Sequence, residues 1–194
     1  MGHIFYLMGK SSSGKDTIYK EIQKRIVTLH QIVLYTTRPI RVGEEDGKEY
    51  FFVKEEQQKK LAEEGKIIEL RAYNTIHGVW KYFTVNDKQI DLETKDYLVI
   101  GTLESYEQMR IYFGSEAMVP IYVETEDGIR LNRALERERM EEEPKYEELC
   151  RRFLADAKDF SEKKLERLGI TRRFLNTELE SCVEEITVYI REHL

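Results

Sequence analysis

The stretch "HIFYLMGKSSSGKDT", residues 3–17, constrains the fold more than any other part of the chain. Its mostly apolar first half ends at Gly9 and reads as a buried strand. After Lys15, Ile18, Ile22, Ile26 and Leu29 recur at helical spacing, so a helix starts at the lysine. A strand, a glycine turn and a helix in succession begin a βαβ unit, and such units stack into a parallel sheet with right-handed crossovers. Between strand and helix, Gly9 and Gly14 bracket four residues and Lys15 follows. That spacing, in that context, marks a phosphate-binding loop. The glycines let backbone amides turn inward, so several N–H donors and a helix N-terminus face one polyphosphate.

The loop runs Gly9, Lys10, Ser11, Ser12, Ser13, Gly14, Lys15, Asp16, Thr17. Its serines are small enough for a tight path, and Lys15 adds a mobile cation over the β- and γ-phosphates of a nucleotide such as ATP. A serine-rich linker is a poor reading, because linkers do not join a buried strand to an amphipathic helix. Asp16 stands where a serine or threonine hydroxyl commonly meets Mg²⁺. A carboxylate is tolerable there if Mg²⁺ lies between it and the anion, which makes it the candidate metal ligand, or if it turns toward a nearby cation. Thr17 comes one position later, as in the "GKGT" form of adenylate-kinase-like enzymes, where that threonine can contact phosphate.

The rest of the chain alternates. "IVLYTT" reads as a second strand, and "YFFV", "KIIELRAY" and "GVWKYFTV" as β-rich segments around one charged helix, "KEEQQKKLAEEG". "YLVIGT", "LESYEQMRIYF" and "AMVPIYV" give strand, helix, strand. Two charged helices follow, at about 127–142 and 146–167, broken near Pro144. "RRFLN" and "ESCVEEITVYIREHL" close the chain as a short strand and a helix. The expected fold is α/β: a parallel core with helices on both faces (1–37, 86–126 and 168–194), an inserted β-rich lobe (38–85) and a helical lid (127–167).

At 194 residues the chain can bury a full core as one domain. Its 31 basic and 37 acidic residues argue against a nucleic-acid coat, but not against a local anion pocket. No apolar run approaches the roughly 20 residues of a membrane span, and "MGHIFYLMGK" is too short in its apolar part for a secretory signal. Cys150 and Cys182 lack ligand spacing and are expected as free thiols in a reducing cytoplasm.

A second anion site is legible in "TTRPIRVGEEDGKEYFFV", where Arg38 and Arg41 with Tyr50 nearby make a clamp for a monophosphate. The run of Thr37, Arg38, Arg41, Gly43, Glu44, Gly47, Tyr50 and Phe52 resembles the GMP-binding segment of guanylate kinases. The resemblance continues in the same order through "GKIIE", "HGV", "LNRALERE", "RRFLADAKDF" and "FLN". It implies that Lys15 and the loop amides hold ATP, and that Arg38, Arg41 and Tyr50 hold the acceptor phosphate. It makes Glu69 the carboxylate that reads guanine and puts His77 beside the acceptor. Arg133 and Arg137 fall on the lid, and Arg137 and Arg152 would close over the moving phosphoryl group. Asn176 falls on the adenine side of the donor.

The chain departs from the family pattern at Leu34, His77, Val79, Ile100 and Thr102, all on the acceptor or metal side. The implied function is transfer of a phosphoryl group from ATP to GMP, with Mg²⁺ and without nucleic-acid or membrane partners. One alternative keeps the reaction and changes the acceptor to another nucleotide or phosphorylated metabolite. A second, a non-catalytic peptide-binding module, is disfavoured because such relatives lose the phosphate loop that persists here.

Overall fold

The structure is a computed structural model and describes residues 1–75 and 78–194. Strands β1 (Ile4–Met8), β2 (His30–Gln31), β7 (Tyr97–Gly101), β8 (Met118–Glu124) and β9 (Phe174–Leu175) form a wholly parallel sheet in the order β2-β7-β1-β8-β9. The numbers missing between β2 and β7 belong to a second sheet. Its strands are β3 (Leu34–Thr36), β4 (Tyr50–Phe52), β5 (Ile67–Thr75) and β6 (Gly78–Val85), in the order β4-β3-β6-β5. Helix α2 (Glu55–Glu63) belongs to this lobe.

Central strand β1 is buried along its whole length, as a strand covered on both faces must be. Alternation sends Ile4, Tyr6 and Met8 to one face and Phe5 and Leu7 to the other. The first face packs on α3 (Leu103–Phe113) and α6 (Glu162–Arg167) through Leu103, Tyr106, Met109 and Leu165. The second packs on α1 (Lys15–Arg25) and α7 (Leu179–Arg191) through Ile18, Ile22, Val183, Ile186 and Ile190. Fully burying each such side chain contributes about 1.5–3 kcal/mol. Helices α4 (Asp127–Arg139) and α5 (Tyr146–Asp159) cross the C-terminal ends of β1 and β8.

Three boundaries differ from the sequence reading. "IVLYTT" is not one core strand. Ile32 joins the core, whereas Leu34–Thr36 enters the lobe sheet, so the lobe begins before residue 38. Val33 marks the change of sheet: its N–H donates to Gln89 Oε1 at 2.8 Å and its carbonyl accepts from Gln89 Nε2 at 3.2 Å. A side-chain amide there replaces the missing strand neighbour. The helix expected over 146–167 ends at Asp159, and Ser161 starts α6 in an extended conformation. The break turns Phe160, Leu165 and Leu168 into the core, so α6 belongs there and not to the lid.

Candidate active site

The residues between β1 and α1 wrap tightly. Ser13 N–H donates to the Lys10 carbonyl at 3.2 Å, Ser12 has φ 60° and Gly14 φ 88°. Glycine is needed at both ends of the wrap. A Cβ on Gly9 would lie 2.6 Å from the Val123 carbonyl oxygen, and one on Gly14 would lie 2.3 Å from Asn176 Nδ2. Helix α1 then starts at Lys15, with its first turn of N–H groups open toward the loop. Lys15 is mostly buried, and its Nζ meets the Asp16 carboxylate at 3.8 Å.

Two residues fasten this loop from beneath. Asn176 Nδ2 donates to the Ser13 carbonyl at 2.7 Å, and Thr125 Oγ1 donates to the same oxygen at 3.1 Å. Ser13 Oγ and Asn176 Oδ1 are buried without a hydrogen-bond partner among the described residues.

Lid helices α4 and α5 fasten it from above through a residue the sequence reading passed over. Arg130 is 1% exposed, and its Nη1 donates to the Ser11 carbonyl at 2.9 Å and to Asp156 Oδ2 at 3.4 Å. Its Nε and Nη2 hold Asp127 at 3.1 and 2.7 Å, and its guanidinium covers the Phe153 ring. Asp156 Oδ2 also accepts the Ser11 N–H at 2.8 Å. Arg130, Ala134 and Glu138 form the buried stripe of α4, and Glu138 accepts the Lys145 N–H beyond the helix end. Because two of the three are charged, a search for apolar periodicity misses the stripe.

This docking carries the other lid arginines onto the loop. Arg137 Nη2 stands 3.5 Å from Ser12 Oγ, and Arg133 Nη1 lies 3.9 Å from the point a Cβ on Gly14 would occupy. Arg137 and Arg152 share a small pocket with Ser11 and Ser12. Arg152 Nε is buried with no hydrogen-bond acceptor among the described residues, since Glu148 is 3.7 Å away. The unpaired Arg152 Nε and the Arg137 guanidinium beside Ser12 are donors that suit a phosphate. A cleft of about 300 Å³ on the Lys10 side is lined by Glu124, Glu126 and Asp127 and would repel one.

The lobe groups the residues expected to form a second anion site. Arg38 forks onto Glu44 at 2.7 and 2.5 Å, with its charge over the Tyr50 and Phe52 rings at 5.2 and 5.3 Å. This hydrogen bonding raises the Arg38 pKa and holds the Glu44 carboxyl down at about 2. Arg41 is exposed at the rim, with its N–H on Glu44 Oε2 at 2.8 Å.

Beside that clamp, a bulge between Ile67 and Glu69 turns Glu69 inward, opposite Thr84. Its buried carboxylate meets Arg71 Nε at 3.1 Å and Arg71 Nη2 at 3.4 Å. Burial disfavours the Arg71 charge, and Glu69 together with Tyr6 and Tyr73 more than offsets this, leaving the pKa raised.

The family model described as guanylate kinase matches residues 2–148 of the 194, more than half of the chain. The chain belongs to the guanylate kinase family. Guanylate kinase of Thermotoga maritima is 41% identical over 83 residues, covering 42% of this chain and 40% of that protein. Guanylate kinase of Syntrophomonas wolfei is 28% identical over 122 residues, covering 62% and 61%. The matched stretches thus span about two fifths to three fifths of those relatives' own length. The crystal structure of guanylate kinase from Anaplasma phagocytophilum superposes with TM-score 0.67 at 22% identity, over 99% of this chain and 86% of that one. At that identity the likeness is one of fold.

Of the residues the guanylate kinase resemblance names, the structure brings Ser11, Ser12 and Gly14 of the loop together with Arg133, Arg137 and Arg152. It groups Arg38, Arg41, Glu44 and Tyr50 in the lobe. Asn176, expected at the adenine side, is 3% exposed beneath the loop and shapes it. Arg38 and Glu69, expected to face ligand, are engaged in internal ion pairs. His77 lies outside the described residues.

Mg²⁺ fits with one protein ligand. The Asp16 side chain is 79% exposed on the first turn of α1, and the nearest cation to it is Lys15. Mg²⁺ is commonly held by one or two carboxylates together with substrate phosphates and waters. Among the described residues no group of three or more His, Cys, Asp or Glu forms a closed metal cage, and none of their helices is long and apolar enough to cross a membrane.

Proposed function

We propose that this protein transfers the γ-phosphoryl group of ATP to GMP, giving ADP and GDP. One observation carries the reading: Ser11 and Ser12 of the loop share one pocket with Arg137 and Arg152. Phosphoryl transfer asks for two nucleotides held in line while cations take up charge on the moving group. Lys15 and the loop amides hold the donor, and Arg137 and Arg152 lie over the reacting phosphates. Asp16 would hold Mg²⁺, which when bound would supply positive charge against the donor phosphates. Arg41 takes the acceptor phosphate at the rim, with Arg38 and Tyr50 behind it as a fixed wall. Membership of the guanylate kinase family supports GMP as the acceptor.

A second reading keeps the reaction and changes the acceptor. It is favoured by the Glu69–Arg71 pair, which neutralises the carboxylate that the resemblance assigns to guanine. ADP formation from ATP and Mg²⁺ in a coupled assay, with GMP, dGMP, AMP, CMP and UMP in turn, separates the two. We expect kcat/KM for GMP to exceed that for AMP and the pyrimidine nucleotides by at least about 100-fold, the scale on which a polar site rejects a mismatched base. A pyrimidine nucleotide or AMP outrunning GMP would transfer the assignment to the second reading.

A further inference from the structure

Glu69 and Arg71 lie two residues apart on β5 and so share one face of the strand. A carboxylate has about four lone-pair sites. Arg71 takes one on each oxygen through Nε and Nη2, and Thr84 Oγ1 takes a second on Oε1 at 2.8 Å. One site is left, on Oε2. The Watson–Crick edge of guanine presents two adjacent donors, N1–H and the amine, and needs two. Glu69, with its side chain 0% exposed, cannot serve both.

Arg71 has the opposite surplus. Of its five N–H groups two go to Glu69. Among the described residues the others meet neutral hydroxyls: Nη1 is 3.5 Å from Thr102 Oγ1, at the limit of a hydrogen bond, and the Tyr73 hydroxyl also pairs with the guanidinium. Tyr73 is 44% exposed and packs edge-on against Tyr82. Thr102 caps α3 at the C-terminal end of β7, and in parallel sheets ligands settle beyond such strand ends. The Arg38 guanidinium lies over the Tyr50 ring, and Tyr82 packs edge-on against both Tyr50 and Tyr73, so Arg38 and Arg71 border one aromatic cluster.

We propose that Arg71, not Glu69, is the specificity-determining residue for the acceptor base. It donates two parallel hydrogen bonds to a pair of adjacent acceptors, which in a guanine or hypoxanthine nucleotide are O6 and N7. Glu69 is the positioning residue that holds the guanidinium fork. Adenine, with a donor amine in place of O6, breaks the match. The inference rests on the proposed phosphorylation of GMP and specifies how that site reads the base.

The test needs no variant. Wild-type kcat/KM is measured with GMP, IMP (no 2-amine) and 7-deaza-GMP (no N7). IMP is expected within about threefold of GMP, and 7-deaza-GMP about 10- to 100-fold below it, the loss of one hydrogen bond from a charged donor. In Arg71→Ala the gap between GMP and 7-deaza-GMP should close to under about twofold while the KM for ATP stays put, and Arg71→Lys should reopen part of it. A purely structural role for Arg71 would leave the wild-type ratio of GMP to 7-deaza-GMP at one. IMP tenfold or more below GMP, with 7-deaza-GMP equal to GMP, would return recognition to Glu69 and overturn the proposal. So would equal rates for all three. If GMP itself is not phosphorylated, the functional reading fails and the inference falls with it, a result distinct from either ratio.

Discussion

Replacing Lys15 with alanine lowers kcat/KM by about 100- to 1000-fold or more while leaving the fold intact. The size follows from removing a fixed cation that faces developing charge in the transition state. Intactness follows from what Lys15 touches: among the described residues its Nζ pairs with Asp16 alone, at 3.8 Å, and that carboxylate is 79% exposed. Ion pairs of this kind contribute about 0–1 kcal/mol. Steady-state kinetics and a thermal melt on one preparation check both halves. Near-normal turnover in a protein that melts like wild type would remove the donor nucleotide from this loop.

Arg130→Met is expected to have the largest effect on stability. The change strips a cation from Asp156 and removes the hydrogen bond to the Ser11 carbonyl, both at a site with 1% exposure. Breaking a buried pair from one side costs about 3–5 kcal/mol, and the lower end applies because Asp156 keeps the Ser11 N–H. Asp127, half exposed, adds little. In a domain of this size a loss of about 3 kcal/mol lowers Tm by roughly 6–12 °C. The double variant Arg130→Met/Asp156→Asn should recover part of the loss, because it leaves no carboxylate behind. A single variant within about 1 kcal/mol of wild type would mean that the lid is not fastened to the loop through Arg130.

Arg130 also shows where sequence reading stops. The strand–loop–helix at 3–25 and the closing strand and helix at 174–191 were legible because burial on both faces leaves continuous apolar runs and helices keep their 3.6-residue period. The parallel core followed from that alternation. In α4 the face turned inward is Arg130, Ala134 and Glu138, and nothing local separates Arg130 from Arg133, Arg137 or Arg139. Only the carbonyl and carboxylate brought from distant segments give Arg130 its place.

Two other misses have their own causes. "IVLYTT" carries no glycine or proline where it leaves one sheet for the other, because a distant side chain, Gln89, occupies the backbone of Val33. Arg71 was within reach, since a spacing of two on a strand already places it on the face of Glu69. Reading Glu69 through a family role alone hid the arginine beside it. Asn176 was found for its segment, but its work is to hold the Ser13 carbonyl and so the curvature of the loop.

The central claim is a direct transfer between two bound nucleotides, and the fate of the label from γ-³²P-ATP tests it most directly. With wild-type protein, Mg²⁺ and GMP, the label should appear in GDP, in amounts equal to the ADP formed and only when GMP is present. Label found as inorganic phosphate, or a rate of ATP loss indifferent to GMP, would contradict the account.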